Sequence, residues 1–421
     1  MIDIEFLREH PEEVAKGIRA KGVTDVDVSS VLRVDGEWRT LLQAVEALRH
    51  EQHVAGGDVS GQTGVTREKE IAKLRVFSDQ LRQQEEKLKH LTHERERLLL
   101  RIPNLPLPNV PVGASADENI TEAATPKPSF SFPPKSYLEL ADGLGIIDLE
   151  RSARSSGSRF GSLVGDGALL EFSLVRFAVD TLVAKGFTPI VPPVLVKRDG
   201  LAAMGYLERG EEEVYKTQDD LYLVGTSEQS LGAMHRNEKF SSTVLPRRFA
   251  AFSTCFRREA GSYGRDTRGI LRVHQFDKVE MFAFCLPETS VEEHAYFLTL
   301  ERELMDTLSI PYCVVRICTG DLGDPAAAKV DLEAWLPGSQ EYRETHSTSN
   351  TTDFQTRRLN VTFRREDGTS GFVHAINGTA IAIGRTVAAI LENYQRADGS
   401  VGVPQALQPY MGNRETIAPV V

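Results

Sequence analysis

The chain has 421 residues, of which 41% are hydrophobic and 26% are charged, and its formal net charge is −11. This length predicts two or three domains with buried cores. The negative charge argues against indiscriminate binding to nucleic acids or anionic membranes, so any contact with RNA must rely on local basic patches.

The N-terminus and the cysteines indicate the cellular compartment. The sequence MIDIEFLREHPEE carries acids from its third residue, which argues against a signal peptide, and no apolar run approaches the roughly 18 residues that span a bilayer. The four cysteines, at positions 255, 285, 313 and 318, show no CxxC spacing and no histidine-rich surroundings. They predict reduced thiols in a cytoplasmic protein with no membrane association and no zinc.

Residues 1–25 predict two short helices, with Pro11 in the first turn of the second and Gly22 at its end. Two mostly apolar heptad series follow, separated by the glycine-rich segment 55–64. The series are Trp38, Leu41, Val45, Leu48, Gln52 and Ala55, and then Leu74, Phe77, Leu81, Gln84, Leu88, Leu91, Arg95, Leu98 and Ile102. The pattern predicts an antiparallel coiled-coil hairpin, about 50 Å long at about 1.5 Å per residue, that protrudes from the protein. On its own, such a hairpin is typical of a spacer or an oligomerisation arm.

Residues 103–135 hold eight of the twenty prolines. They predict a linker, because proline removes a backbone donor and disfavours helix. We therefore place the domains at residues 1–102 and 136–421, on either side of this linker. In the second domain a helix is predicted around residues 168–184, followed by a strand that Pro192 and Pro193 break, as at a sheet edge.

The segment DDLYLVGTSEQSLGAMH, residues 219–235, predicts a strand that runs into a helix. Thr226, Ser227 and Glu228 at the junction form a capping signal for that helix. Small hydroxyls beside a carboxylate also suit a small polar ligand with an ammonium group. The residues alone favour the cap.

Residues 249–284 contain two strand-like runs around a loop rich in glycine and arginine, which predicts a β-hairpin. Side chains alternate along a strand, so Arg257 and Glu259 share one face of the first run, and Phe276 and Glu280 share one face of the second. A guanidinium suits phosphate, an aromatic plane suits a base and a carboxylate suits an ammonium group, so the set fits a nucleotide plus an amine. The plainer alternative is a hairpin with a solvated, salt-bridged tip.

A polar run begins at Glu344 and continues through Thr345, His346 and Ser347. It predicts an exposed strand, although a carboxylate there can also hold a magnesium ion that bridges phosphates. His346 has no partner at zinc-ligand spacing.

The last long motif, GFVHAINGTAIAIGRTVAAILENYQ, covers residues 371–395. It predicts a strand, a turn at Asn377-Gly378 and a helix rich in small residues. Arg385 lies in that helix, where a single arginine is usually a surface or ion-pair residue.

The sequence FRREAGSYGRDTRGILRVHQFDKVE resembles motif 2 of the class II aminoacyl-tRNA synthetases, in the form carried by seryl-tRNA synthetases. The predicted helix, strand and proline of residues 168–193 are similar to motif 1, and residues 371–395 are similar to motif 3. The resemblance extends from residue 1 to about residue 410. It implies an α+β fold, namely a class II synthetase antiparallel sheet flanked by helices, with an N-terminal antiparallel helical coiled-coil arm.

The resemblance also implies an activity and its partners. The enzyme would use ATP with Mg²⁺ to convert L-serine into seryl-adenylate and then transfer it to the 3′ end of tRNA-Ser, as a homodimer. The arm would grip the long variable arm of tRNA-Ser by shape and backbone contacts. Candidate phosphate contacts are Lys69, Lys73, Arg75, Arg82, Lys87 and Lys89.

The resemblance assigns site residues by motif. The catalytic residues are Arg257, Glu259 and Arg385. Those implied to bind ATP are Arg257, Arg258, Glu259, Val273, Phe276, Glu344, Thr345, His346, Ser347 and Arg385. Those implied to bind serine are Thr226, Ser227, Glu228, Arg257, Glu280, Asn377 and Thr379. Glu344 and Ser347 are implied to hold Mg²⁺ with ATP.

Several residues depart from the pattern of this family and bear on the size of the pocket. They are Tyr263, His346, Thr379, Ala380 and the pair Gln229-Ser230. One alternative is therefore a paralogue of the same fold that activates serine for another acceptor or tolerates a serine-mimicking inhibitor. A non-catalytic RNA-binding or scaffold protein is a further alternative, but it predicts erosion at the motif arginines and glutamates, which are intact.

Overall fold

The computed structural model describes residues 1–59, 65–260 and 268–420, and the side chains of these residues except 55–59 and 65–73. Tyr263 and the side chains of Lys69 and Lys73 therefore lie outside the described part. The chain divides into two compact units, Met1–Pro103 and Asn104–Val421. None of the described helices combines the length and apolar character needed to span a bilayer.

The first unit is helical. Pro11 begins the second helix as predicted, and Gly22 follows that helix with φ +69°. The two long helices run antiparallel, since Trp38 Nε1 donates to Thr92 Oγ1 at 2.9 Å and Gln52 Nε2 donates to Ser78 Oγ at 2.9 Å. The predicted coiled-coil hairpin is thus confirmed, although its first helix continues into the glycine-rich segment. The helices are α1 (Ile4–Glu9), α2 (Pro11–Ala20), α3 (Val28–Val59) and α4 (Val65–Leu100).

A buried carboxylate joins three of these helices. Asp35 on α3 is fully buried, and it accepts hydrogen bonds from Arg8 Nε on α1 at 2.8 Å and from Arg95 Nε on α4 at 2.7 Å. Burial raises the pKa of Asp35, but the two guanidinium groups outweigh it and lower the pKa overall. A buried charge is tolerated when it is paired in this way.

The second unit is an α+β domain, as predicted. Its helices are α5 (Tyr137–Leu144), α6 (Glu150–Ser156), α7 (Asp166–Ala184), α8 (Arg198–Ala203), α9 (Ser227–Met234), α10 (Ser290–Thr307), α11 (Phe354–Leu359) and α12 (Ile383–Asn393). Its strands are β1 (Ile120–Ala124), β2 (Ile147–Asp148), β3 (Ser162–Leu163), β4 (Thr188–Ile190), β5 (Leu195–Lys197), β6 (Leu221–Leu223), β7 (Lys239–Ser241), β8 (Arg247–Phe256), β9 (Gln275–Cys285), β10 (Tyr312–Arg316), β11 (Ala328–Leu336), β12 (Glu341–Asn350), β13 (Thr362–Arg364), β14 (Ser370–Phe372), β15 (His374–Ala382), β16 (Val401–Gly402) and β17 (Thr416–Ile417).

An eight-stranded sheet organises this unit. Its strand order is β1-β10-β11-β12-β15-β9-β8-β4, and every neighbouring pair is antiparallel except β4 and β8. The predicted hairpin lies within it as β8 and β9, which pair from Arg247↔Phe284 to Phe256↔Gln275. Helices α7, α10 and α12 contribute buried apolar residues to the main core against the sheet.

Two local features differ from the sequence-based expectation. The predicted turn at Asn377-Gly378 is wrong, because β15 runs straight through these residues and pairs with β12 on one side and β9 on the other. Hydrogen bonds to two neighbours outweigh the local turn signal of this dipeptide. The proline-rich stretch also contains a strand, β1, which adds to the edge of the large sheet beside β10.

Candidate active site

A cavity of about 360 Å³ opens on one face of the sheet. Most of the predicted site residues line it, although they come from segments spread over some 160 positions of the sequence. The predicted residues in its wall are Thr226, Glu228, Arg257, Glu259, Val273, Phe276, Glu280, Glu344, Thr345, Ser347, Asn377, Thr379 and Arg385.

The floor of the cavity is strand β9. Phe276, Lys278 and Glu280 alternate along this strand and therefore share the face that lines the cavity. Arg257 follows the end of β8, where its guanidinium carbon lies 5.3 Å from the centroid of the Phe276 ring. Its Nε donates to the carbonyl oxygen of Gly225 at 3.3 Å. A cation and an aromatic plane thus lie side by side in the cavity, an arrangement that suits a phosphate group and a base.

Glu259 marks a sharp change of direction after β8. Its φ of +51° lies in the left-handed region that residues other than glycine seldom adopt. The carboxylate Oε2 accepts from Arg272 Nη1 at 2.8 Å, and both residues line the cavity. Strained backbone of this kind is concentrated at functional sites.

One end of the cavity is acidic and buried. Glu228 and Glu280 are 3% and 2% exposed. Oε1 of Glu228 accepts from the Tyr206 hydroxyl at 2.7 Å and from Gln355 Nε2 at 3.1 Å. Burial, and then the charge of Glu280, raise the pKa of Glu228. Two buried carboxylates that line one cavity favour the binding of a cation.

The backbone near this end positions hydroxyl groups. Thr226 is the N-cap of α9, and its Oγ1 accepts from the backbone N–H of Glu228 at 3.5 Å. The same residue lines the cavity, so the capping and ligand-facing interpretations of this segment are compatible. Thr379 on β15 donates from Oγ1 to Glu280 Oε2 at 3.5 Å.

The opposite end of the cavity carries Arg385 and Glu344. Arg385 Nη1 donates to the carbonyl oxygen of Glu344 at 2.7 Å and lies 3.4 Å from the carboxylate Oε2 of the same residue. Desolvation opposes ionisation of Glu344, but Arg385 and then Lys329 outweigh it and lower its pKa to about 2. Glu344 is therefore a carboxylate at any physiological pH.

A β-bulge brings two consecutive residues into this wall. The register of β11 and β12 passes from Leu332↔His346 to Glu333↔Glu344, so Thr345 is the extra residue. As a result Glu344 and Thr345 both face the cavity. Bulges commonly redirect side chains at the edge of a site.

Comparisons with known proteins show which family the chain belongs to. The family model described as the seryl-tRNA synthetase N-terminal domain matches residues 1–106, and the class II core domain of tRNA synthetases (G, H, P, S and T) matches residues 212–394. The serine–tRNA ligase of Thermobifida fusca (strain YX) is 46% identical over 413 residues, which are 98% of either chain. The chain belongs to the seryl-tRNA synthetase family.

Two solved structures are similar to the synthetase over the whole chain. The seryl-tRNA synthetase of Pyrococcus horikoshii, crystallised in complex with ATP, superposes with a TM-score of 0.93 at 39% identity and covers 100% of both chains. The cytoplasmic serine–tRNA ligase of Naegleria fowleri, in complex with AMP, gives 0.88 at 32% identity over 100% and 99% of the two chains. The predictions of family, fold class and enzyme class are confirmed.

Three predicted residues of the synthetase lie outside the cavity wall. His346 is 1% exposed, and it points to the opposite face of β12 from Ser347, where its Nε2 donates to the carbonyl oxygen of Ala380 at 2.9 Å. Ser227 is fully buried in the first turn of α9, and Arg258 is exposed beyond β8. Alternation along β12 explains the direction of His346, which follows Thr345 in the cavity wall. Ser227 and Arg258 likewise follow residues that line the cavity, Thr226 and Arg257, and point elsewhere.

Other cavity residues were not predicted. Lys278 stands between Phe276 and Glu280, so the alternation along β9 could have indicated it. Arg272 and Lys329 are positively charged, but no sequence pattern distinguishes them from other basic residues. Tyr206 precedes α9 by some twenty residues in a loop, and no local pattern marks it. All four line the cavity.

Proposed function

We propose that this cavity holds ATP and L-serine side by side, and that the enzyme is an ATP-dependent serine–tRNA ligase. The observation that carries the proposal is the convergence of Arg257, Phe276 and Arg385 with the acidic pair Glu228 and Glu280 on one cavity. In the first step the serine carboxylate attacks the α-phosphate of ATP, which gives seryl-adenylate and pyrophosphate. In the second, the acyl group passes to the terminal ribose of tRNA-Ser and AMP leaves.

The acidic end suits the amino acid. Glu228 and Glu280 would bind the serine ammonium group, and the hydroxyls of Thr226 and Thr379 would meet the serine hydroxyl. A buried pocket built around a hydroxyl discriminates strongly against alanine, because its polar groups would be left unpaired. Discrimination against threonine depends instead on the space around Thr379.

The other end suits the nucleotide. Phe276 would stack on one face of adenine and Arg385 would cover the other, while Glu259 and the backbone near Val273 would hold its edge. Arg257 lies between the two ends, where it would stabilise the negative charge that develops on the α-phosphate. No residue has to act as a nucleophile, since positioning and charge neutralisation account for catalysis of this kind.

Glu344 and Ser347 form a fitting partial site for Mg²⁺. Both line the cavity beside Arg385, and Glu344 is held as a carboxylate. Magnesium in nucleotide sites is bound by one or two carboxylates together with substrate phosphates, without a cage of protein ligands. The ion would neutralise phosphate charge.

The N-terminal arm would bind tRNA-Ser. Among the candidate contacts whose side chains are described, Arg75, Arg82, Lys87 and Lys89 are exposed on α4. Their spacing follows the long axis of the hairpin, as contacts to the backbone of an extended RNA arm would. Recognition of RNA by shape relies on such contacts.

A second copy of the chain would cover an apolar surface near α7. Phe172 on this helix is 69% exposed and Val191, just after β4, is 76% exposed, and Leu169 and Val183 on α7 are also exposed. Apolar side chains gathered in this way mark interaction sites. We infer a homodimer, in the cytoplasm, where the four free and buried cysteines stay reduced.

The test is ATP–pyrophosphate exchange across a panel of amino acids, followed by charging of tRNA-Ser. We expect exchange with serine far above that with alanine or threonine, and charging of tRNA-Ser. Exchange with threonine or alanine but not serine would refute the specificity. Serine-dependent exchange without charging of tRNA-Ser would favour the alternative of a paralogue with another acyl acceptor.

A further inference from the structure

Lys278 is a buried cation inside the amino-acid end of the cavity. It lies on β9 between Phe276 and Glu280 and is 6% exposed. Its Nζ donates to Thr226 Oγ1 at 2.9 Å and forms an ion pair with Glu280 Oε2. A single lysine thus contacts two of the residues that the proposed function assigns to serine.

The ammonium group of lysine has three hydrogen-bond donors and no acceptor. Thr226 Oγ1 and Glu280 Oε2 must therefore both accept hydrogen bonds from it. Oε2 of Glu280 accepts from Lys278 and from Thr379, while Oε1 makes no hydrogen bond to any other described residue. One oxygen of Glu280 is therefore held by the protein and the other is left for a ligand. Thr226 Oγ1 likewise accepts from Lys278, which orients its hydroxyl.

The charges lead to the same conclusion. Glu228, Glu280 and Lys278 are all less than a tenth exposed, so water screens them poorly. With both glutamates ionised, the two carboxylates and the one ammonium group of these three side chains sum to one negative charge. A single ammonium group restores neutrality, whereas an amino acid with a second cationic group would overshoot it.

We propose that Lys278 is a positioning residue for the α-ammonium group of the amino acid, holding Glu280 and Thr226 in place and setting the charge of the pocket so that it accepts one ammonium group. This inference rests on the proposed function. Lys278 acts on the substrate only through Glu280 and Thr226. Its ammonium group and that of the substrate carry like charges and do not pair with each other.

The test uses the full-length enzyme with Lys278→Met, which keeps the length of the side chain and removes its charge, and Lys278→Gln, which keeps a donor without the charge. Lys239→Met, on an exposed lysine of β7, is the matched control. In pyrophosphate exchange we expect KM for serine to rise about ten- to a hundredfold in both Lys278 variants, as loss of a charge-assisted contact implies. KM for ATP should stay within about twofold, and Lys239→Met should match the wild type.

A pH profile separates charge from a loss of packing. Burial, then Glu280, raise the pKa of Glu228, and Lys278 opposes them. Removal of Lys278 should therefore raise the pKa of Glu228 further and move the acid limb of kcat/KM for serine to higher pH. Of the other titratable groups around this cluster, Tyr206 and Arg257 line the same cavity. Cys255 and, from the other face of the sheet, Glu301 interact electrostatically with Glu280 and Lys278. All four remain the same in every variant.

The outcomes are distinct. If the wild type shows no serine-dependent exchange, the proposed function fails. If the wild type is active but both Lys278 variants keep its serine KM and acid limb, the inference about Lys278 fails. Equal rises in KM for serine and ATP with an unmoved acid limb would also overturn it, because they indicate a general loss of structure. Should Lys278→Met not fold, Lys278→Gln carries the same comparison.

Discussion

His346 makes the stability of the catalytic unit depend on pH. Its Nε2 must carry the proton, because its partner at 2.9 Å is the carbonyl oxygen of Ala380, which only accepts. Nδ1 lies 2.9 Å from Thr345 Oγ1 and accepts from that hydroxyl in the neutral ring. Burial lowers the pKa of His346 to about 4. The folded protein therefore holds a neutral imidazole well below the pH at which the unfolded chain takes up a proton.

The size of the effect follows from the two pKa values. The ordinary value is 6.5 and the buried value about 4, and this difference corresponds to about 3 kcal/mol once pH lies below both. Because the pKa of His346 is lower in the folded protein, its contribution to the free energy of unfolding is present above pH 6.5 and is lost as pH falls toward 4. Between pH 7 and pH 4.5 we expect His346 to account for a loss of about 2 kcal/mol.

The perturbation that isolates this loss is His346→Gln, whose amide can donate to Ala380 but does not titrate. The chain has two tryptophans, one in each unit, so a Trp38→Phe background leaves Trp335 on β11 as the fluorescent reporter of the catalytic unit. Urea titrations at pH 7 and pH 4.5 then give the change in unfolding free energy. We expect His346→Gln to lose about 2 kcal/mol less than its parent on acidification, and the exposed control His90→Gln to lose as much as the parent. Equal losses in His346→Gln and its parent would refute the reasoning.

Three further predictions concern other parts of the chain. Arg385→Lys should lower kcat/KM for ATP about a hundredfold, because a lysine cannot stack on a base, and a fall of less than about threefold in exchange assays would contradict this role. Reversal of Arg75, Arg82, Lys87 and Lys89 to glutamate should lower kcat/KM for tRNA at least about tenfold and flatten its salt dependence, with serine activation unchanged. Reversal of the exposed Glu86 and Glu94 on the same helix serves as the control, and an equal loss there would mean that the basic residues have no special part. Glu301→Gln should raise the thermal midpoint at pH 8 by about 2–4 °C or more. Burial raises the pKa of Glu301 well above its ordinary value, so the buried Glu301 destabilises the folded protein more as pH rises. The increase in thermal midpoint caused by Glu301→Gln should therefore shrink toward pH 5. An increase that does not depend on pH would contradict this explanation.

The residues that sequence could place are those whose position follows from a repeating pattern. Alternation along β9 put Phe276 and Glu280 on one face, and the hairpin signal placed β9 beside β8. The same alternation includes Lys278, but a lysine in a sequence is ordinarily read as a solvated charge. Lys278 is instead buried and donates to Thr226, a residue 52 positions away, and no local pattern shows that contact.

Local turn and loop signals failed where tertiary pairing decides the backbone. Asn377-Gly378 has the composition of a tight turn, yet a strand on each side holds it extended. The described residues 103–135 contain no α-helix, as their prolines predict. The prolines do not show that Asn104 Nδ2 donates to the carbonyl oxygen of Thr351 at 2.7 Å within the second unit. Long-range hydrogen bonds of this kind are fixed by the fold and leave no trace in neighbouring residues.

Bulges in β12 and β15, the two central strands of the sheet, decide which residues line the cavity. On β15 the pairing with β9 passes from Thr379↔Glu280 to Ile381↔Val279, so Ala380 is extra and the alternation shifts by one. Ala382 consequently faces the cavity and Ile381 the core. His346 bonds to the bulged residue Ala380, which makes it a support for this shift from the far side of the sheet.

The sheet therefore separates two kinds of titratable group. On the cavity face the charges are paired or face a ligand, as Lys278 and Glu280 do. On the other face Gly378 leaves room for the carboxyl group of Glu301, which has no hydrogen-bond partner among the described residues, and a Cβ on this glycine would lie 3.1 Å from its Oε1. Substitution of Glu301 should thus change the pH dependence of stability and leave KM for serine unchanged, whereas substitution of Lys278 should raise KM for serine. A variant of Glu301 that shifted the acid limb of serine activation would show that the two faces are electrically coupled through the sheet.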